Sequence, residues 1–130
     1  MGKRMSYITD RKRVDGLGSS HSGVGHWMSQ RVTSIALIPL SLLFLFPFIG
    51  NLGGGHAAML ETYAQPRHAL IATMFFIVLC MHMYQGLQVV IEDYIHGHRL
   101  RIGMLVVNKL FWGSTAVIAV FAIAKIAFSA

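Results

Sequence analysis

Residues 68–91 read HALIATMFFIVLCMHMYQGLQVVI, without one Asp, Glu, Lys or Arg. As a helix rising about 1.5 Å per residue, this run is long enough to cross a hydrocarbon layer roughly 30 Å thick. A second uncharged run, Val32 to Gly55, precedes it. A first span is expected there over about 32–51, with Pro39 and Pro47 inside it; proline is tolerated in a membrane helix when neighbouring groups satisfy the freed carbonyls. A third span is expected over about 104–128, with Lys109 and Lys125 near its ends, where their long stems snorkel to the headgroups. The composition agrees. Of 130 residues 55% are hydrophobic and only 12% charged, where a soluble domain carries about 25% charged residues. The reading is an all-α integral membrane protein. It has three transmembrane helices, the central one over about 68–93, in a single domain over 1–130. One Cys excludes a disulfide-stapled scaffold and any Cys-rich zinc or iron–sulfur site.

The basic residues set the orientation. Lys3, Arg4, Arg11, Lys12, Arg13 and Arg31 precede the first span, and Arg99, Arg101 and Lys109 surround the second loop. The first loop carries only Arg67 and the C-terminal end only Lys125. Nine against two predicts a cytoplasmic N-terminus, residues 1–30 forming a cytoplasmic lead-in, with the second loop on the same side. The net charge of +6 is therefore a topology signal and not a nucleic-acid footprint; it also favours anionic membrane lipid by about 1 kcal/mol per basic residue near the surface. The first 30 residues contain no apolar core of the kind a cleavable signal peptide needs, and Asp10 and Asp15 count against a transit peptide. The glycine-rich stretch Gly16–Gly25 has no preceding strand and no following Gly-Lys-Ser/Thr, so it reads as a polar lead-in and not as a phosphate loop.

His82 stands near the middle of the second span, where an ionisable side chain is costly and marks a functional site by default. Three roles compete: haem or metal ligand, proton-relay group, or a structural histidine bonded to a neighbouring helix. At about 100° per residue, Gly86, Val89 and Asp93 fall within about 40° of His82 and form one stripe with it. A glycine one turn from a ligand histidine lets a flat macrocycle or another helix approach the backbone, and helix packing alone also favours a small residue there. At the end of the same helix Glu92 and Asp93 oppose the macrodipole, and Arg31, His96, His98, Arg99 and Arg101 are the available cations on that side. Glu92 reads as a solvated helix end; Asp93, on the His82 stripe, reads as facing protein. Tyr94 is either an interfacial anchor or a hydrogen-bond donor to a ligand carbonyl. Ahead of the first span runs His26-Trp27-Met-Ser-Gln-Arg31. Trp27 suits the aromatic belt. Arg31 either snorkels or clamps a carboxylate that dips into the membrane, such as a haem propionate. The remaining histidines, His21, His56, His68, His96 and His98 among them, lie at span ends or in loops, so a haem held by two histidines would need its second ligand from another polypeptide. Cys80, on a different face from His82, is given no ligand role.

Taken together, His82-x3-Gly86-x-Gln88-Val-Val-x2-Asp93-Tyr94-x-His96-Gly97, with His26-Trp27-x3-Arg31 ahead of the first span, resembles the small cytochrome b membrane-anchor (D-type) subunits of succinate dehydrogenase, respiratory complex II. The resemblance runs from about Gly16 to the end. The Gly16–Gly25 lead-in is similar to alphaproteobacterial members, which implies the bacterial inner (plasma) membrane. The larger anchor subunit fits less well, because its Ser…His-Arg-x-Thr-Gly motif is missing.

The resemblance implies that His82 ligates haem b, with the second axial histidine coming from the larger cytochrome b anchor subunit. It implies that Tyr94 hydrogen-bonds a ubiquinone carbonyl, that Asp93 shapes that site, and that Arg31 and His26 lie by the haem propionates and the quinone pocket. The flavoprotein and iron–sulfur subunits would dock on the cytoplasmic face and pass electrons from succinate, an intermediate of the tricarboxylic acid cycle, to the quinone. Quinone reduction consumes protons as well as electrons, which suits a site at the membrane boundary beside Asp93 and Tyr94. His82 lies about 16 Å deeper at 1.5 Å per residue. Two alternatives stand beside this reading: a haem-free anchor with a structural His82, and a small proton-conducting or transport subunit using His82 and Asp93 as relay groups.

Overall fold

The structure, a computed structural model, describes residue 11 and residues 23–129. From residue 23 the chain forms α1 (Gly23–Gly50), a 3-10 turn (Leu52–Gly54), α2 (Gly55–Ala64), α3 (Pro66–Tyr94) and α4 (His98–Phe128), with no strand among the described residues. Most of the Gly16–Gly25 lead-in, with His21, lies outside them.

Three stretches are long and apolar enough to cross a membrane: Gly23–Ala64, Pro66–Tyr94 and His98–Phe128. Each helix outruns the uncharged core that announces it. Helix α1 begins nine residues before Val32, and α4 six residues before Met104. The cause is physical: a charge ends the hydrocarbon-compatible segment, whereas a helix ends only where its backbone hydrogen bonds do. Arg99 and Arg101 thus stand on the first turn of α4 and not in a loop.

The first loop differs from a plain connection. Asn51 closes α1 by donating its side-chain amide to the Pro47 carbonyl at 2.7 Å, one of the last carbonyls that a helix leaves without a partner. Gly55 then takes a left-handed φ of 70°, which costs glycine little, and the ten residues of α2 follow. Helix α2 stops at Gln65, held extended (φ −66°, ψ 128°) because the next residue is proline; Pro66 opens α3, where its missing N–H costs nothing. Only Ile95, His96 and Gly97 separate α3 from α4.

Helix α3 is the middle of the bundle. Helices α1 and α4 both pack along it, and α2 touches α3 and α4. The buried core lies at the α2 end, where Tyr63, Ala69, Ala72 and Ile123 meet and Phe44, Met59, Phe76 and Ile126 close around them. Ala69 and Ala72 let the backbones approach, the usual role of small residues between membrane helices. Elsewhere large apolar side chains such as Ile35, Phe46, Val107, Val117 and Phe121 point outward. A water-soluble monomer would not expose so much apolar surface; a bilayer solvates it.

Candidate functional site

Several polar residues of α1 and α3 meet along one seam between the two helices. His82 faces α1 there. Its Nδ1 lies 3.0 Å from Thr33 Oγ1, and its Nε2 lies 3.5 Å from Gln30 Nε2. One turn along α3, Gln85 donates to Ser29 Oγ at 2.6 Å. Thr33 and Gln85 are both buried.

The contacts of Thr33 suit one imidazole tautomer. The Thr33 hydroxyl reaches two carbonyls of its own helix, those of Ser29 at 3.1 Å and Gln30 at 3.0 Å, a common arrangement for threonine inside a helix. With its proton on a backbone carbonyl, Oγ1 is the acceptor for a His82 ring protonated at Nδ1, the tautomer that keeps the Nε2 lone pair. The Gln30 amide agrees with this, since it turns its NH2 group, a donor, toward Nε2. An imidazole with Nδ1–H tied to an oxygen and Nε2 free to donate electrons is in the form that binds a metal.

Gly86 completes the seam. A Cβ on Gly86 would come within 3.3 Å of Gln30 Nε2, so the space left by the missing side chain is where the Gln30 amide lies. Oε1 of Gln30 and Oε1 of Gln85 are buried without a hydrogen-bond partner. Such atoms cost free energy unless something pairs with them.

The other predicted residues are dispersed. His26 shares a face of α1 with Gln30 and Thr33, at helical spacing, and is half-buried with its Nε2 unpartnered. Arg31 is exposed and holds its guanidinium 5.5 Å from the centre of the Trp27 ring, a cation–π distance. Asp93 is exposed, and Tyr94 is 78% exposed at the last turn of α3. Glu92 accepts from Gln88 one turn back at 2.8 Å, so its hydrogen-bond partner comes from α3 and not from the loop cations. The His82 stripe is covered by α1 as far as Gly86; Val89 and Asp93, further along, are exposed. Within this chain, then, the hydrogen-bond partners of His82 are Gln30 and Thr33 and not Asp93, Tyr94 or Arg31.

Sequence reasoning passed over Ser29, Gln30, Thr33 and Gln85. A signal was present: Gln30 and Thr33 repeat at helical spacing from His26, and Gln85 lies one turn from His82. Among the described residues no three His, Cys, Asp or Glu side chains converge on a point that could hold a metal ion.

The profile of the succinate dehydrogenase/fumarate reductase transmembrane subunit family matches residues 5–124. The chain belongs to this family. Among its relatives, the succinate dehydrogenase hydrophobic membrane anchor subunit of Paracoccus denitrificans is 32% identical over 126 residues, covering 97% of both chains. The subunit of the same name from Rickettsia typhi is 32% identical over 105 residues, 81% of this chain and 84% of the other. The succinate dehydrogenase membrane anchor subunit of Reclinomonas americana is 32% identical over 84 residues, 62% of this chain and 70% of the other. No solved structure matches the chain. As a succinate dehydrogenase membrane anchor and multi-pass membrane protein, the chain is one subunit of a complex that includes catalytic subunits. The unpaired atoms along the seam of this anchor accord with a site that is not finished by one polypeptide.

Proposed function

We propose that this anchor supplies His82 as one axial ligand of a haem b shared with a larger cytochrome b anchor subunit. In the same reading Tyr94, Asp93, Arg31 and His26 contribute to the ubiquinone-reduction site. The observation that carries the proposal is the His82 imidazole itself, at mid-span, with Nδ1 facing Thr33 Oγ1 at 3.0 Å and Nε2 facing only the far end of the Gln30 side chain at 3.5 Å. The fit extends to Gly86, whose missing side chain opens space on the same face, filled by a flexible glutamine amide that is free to turn away.

Haem b, when bound, supplies a one-electron store beside the quinone. The residues of this chain do the rest. The Tyr94 phenol donates a hydrogen bond that orients a quinone carbonyl, and its 78% exposure leaves room for a ligand from outside the chain. Asp93 lies beside it at the membrane boundary, where it exchanges protons with water. Arg31 provides a fixed positive charge for carboxylates that reach the interface, and the half-buried His26 lies one turn of α1 from Gln30. The basic excess puts this end of the molecule on the cytoplasmic side of the bacterial inner membrane, facing the flavoprotein and iron–sulfur subunits that deliver electrons from succinate.

A second reading has an observation of its own. Both ring nitrogens of His82 face partners on α1, as they would if the histidine only fastened two helices in a haem-free anchor. The reduced-minus-oxidised spectrum of the purified complex decides between them: His82→Ala is expected to lose the haem b band while the soluble subunits still co-purify. A full haem b signal in that variant would overturn the ligand assignment. A proton-conducting role has less support, because beyond the seam the α1–α3 contact turns aromatic, with Phe44 stacked on Phe75 at 4.7 Å.

A further inference from the structure

We infer that Thr33 is a positioning residue for His82: by accepting the Nδ1–H bond it fixes the imidazole tautomer and orientation and tunes the electron density that Nε2 offers to a haem iron. The inference rests on the proposed ligand role of His82 and adds a determinant on a different helix, 49 residues away in sequence.

Three observations support it. The Thr33 hydroxyl lies 3.1 Å and 3.0 Å from two carbonyls of its own helix, which can take its proton and leave the oxygen to accept from Nδ1. Its partner distance of 3.0 Å to Nδ1 lies in the range of a good hydrogen bond. Thr33 is also only 7% exposed, and a hydrogen bond in a buried, low-dielectric setting is stronger than at an exposed surface. A metal-bound histidine whose other nitrogen donates to an oxygen is a more basic ligand, and losing that outer partner typically weakens metal binding by about 10–100-fold. A more basic ligand stabilises ferric over ferrous iron. Thr33 therefore holds the haem potential down.

The test compares Thr33→Val, which keeps the branched shape and removes the hydroxyl, with Thr33→Ser, which restores it, in the assembled complex. The readouts are the haem b midpoint potential and the haem-to-flavin ratio. The two backbone carbonyls lose only a supplementary bond in Thr33→Val, so assembly is expected to survive. The potential is expected to rise by up to about tenfold in the redox equilibrium, about 59 mV for one electron, with reduced haem retention; Thr33→Ser should return both toward wild type. Wild-type potential and haem content in Thr33→Val would overturn the inference, as would a shift of equal size in Thr33→Ser. Should Thr33→Val fail to assemble, Thr33→Ala against Thr33→Ser carries the same comparison of hydroxyl absent and present. His82→Ala separates the two layers: haem retained there defeats the ligand reading, whereas haem lost there with an unchanged Thr33→Val defeats only the role of Thr33.

Discussion

The two ends of the α1–α3 contact solve different problems. At the α2 end Phe44 touches the rings of Phe48, Tyr63, Phe75 and Phe76, Ala72 is 1% exposed, and the Tyr63 hydroxyl donates to the Phe44 carbonyl at 3.1 Å. Apart from that bond the α1–α3 contact there is made by apolar side chains; beside it His68, whose ring meets Tyr63, keeps its Nδ1 buried and unpaired. At the other end the contact is polar, built from Ser29, Gln30, Thr33, His82 and Gln85, and two of its amide oxygens remain buried and unpaired. Lipid tails are as apolar as the side chains, so burial drives little helix association inside a bilayer. One end holds by ring packing. The other holds by a few hydrogen bonds and leaves capacity over. The contrast separates a fastening region from a working region on the same pair of helices.

Phe44→Ala strikes the fastening region and should have the largest effect on stability. It removes four ring contacts and is expected to cost about 2 kcal/mol, below the usual 3–5 for soluble cores, since lipid refills part of the space. Thermal unfolding of the detergent-solubilised complex measures it, with the haem spectrum of the surviving complex unchanged. An altered haem spectrum would mean that the two ends are not independent. Tyr94→Phe acts beyond the seam and leaves both ends intact. Losing one hydrogen bond, about 1 kcal/mol, should lower kcat/KM for quinone about fivefold with haem content retained, and normal quinone kinetics would return Tyr94 to the part of an interfacial anchor. Gly86→Ala should do least. The added Cβ meets only the far end of the Gln30 side chain at 3.3 Å, which is able to swing aside, while alanine improves helix propensity by about 1 kcal/mol. The tight 3.3 Å contact offsets part of that gain, so complex stability is expected to stay within about 0.5 kcal/mol of wild type, a null result that a rigid Gln30 would spoil.

The spans and His82 were legible in the sequence because both are one-dimensional signals: an uncharged run of sufficient length, and one imidazole inside it. Helix limits were less legible, since Arg99 and Arg101 end the hydrocarbon-compatible stretch without ending helical hydrogen bonding. Helix α2 escaped notice because ten residues between two spans produce no hydropathy signal of their own, and only its docking of Met59 and Tyr63 into the core gives it a reason to form. The seam was hidden for a different reason. Ser29, Gln30 and Thr33 are separated from His82 and Gln85 by about fifty residues, and which of them meet depends on how α1 lies against α3. Asp93 shows the limit of extrapolating a helical stripe: the phase relation to His82 is right in angle, but α1 covers the stripe only as far as Gly86.

The central placement of α3 has a mechanical consequence. Helices α1 and α4 each pack on α3 and share little direct contact, so the most direct way for a displacement of α4 to reach the His82–Thr33 pair is through α3. Asn108, 4% exposed on α4, donates to the Tyr84 carbonyl at 3.0 Å, tying α4 to α3 within two residues of the histidine. Strain entering from the α4 side is thus delivered to the backbone at that level, and the depth of His82 in the bilayer is referenced to two helices although its chemistry is shared with a third.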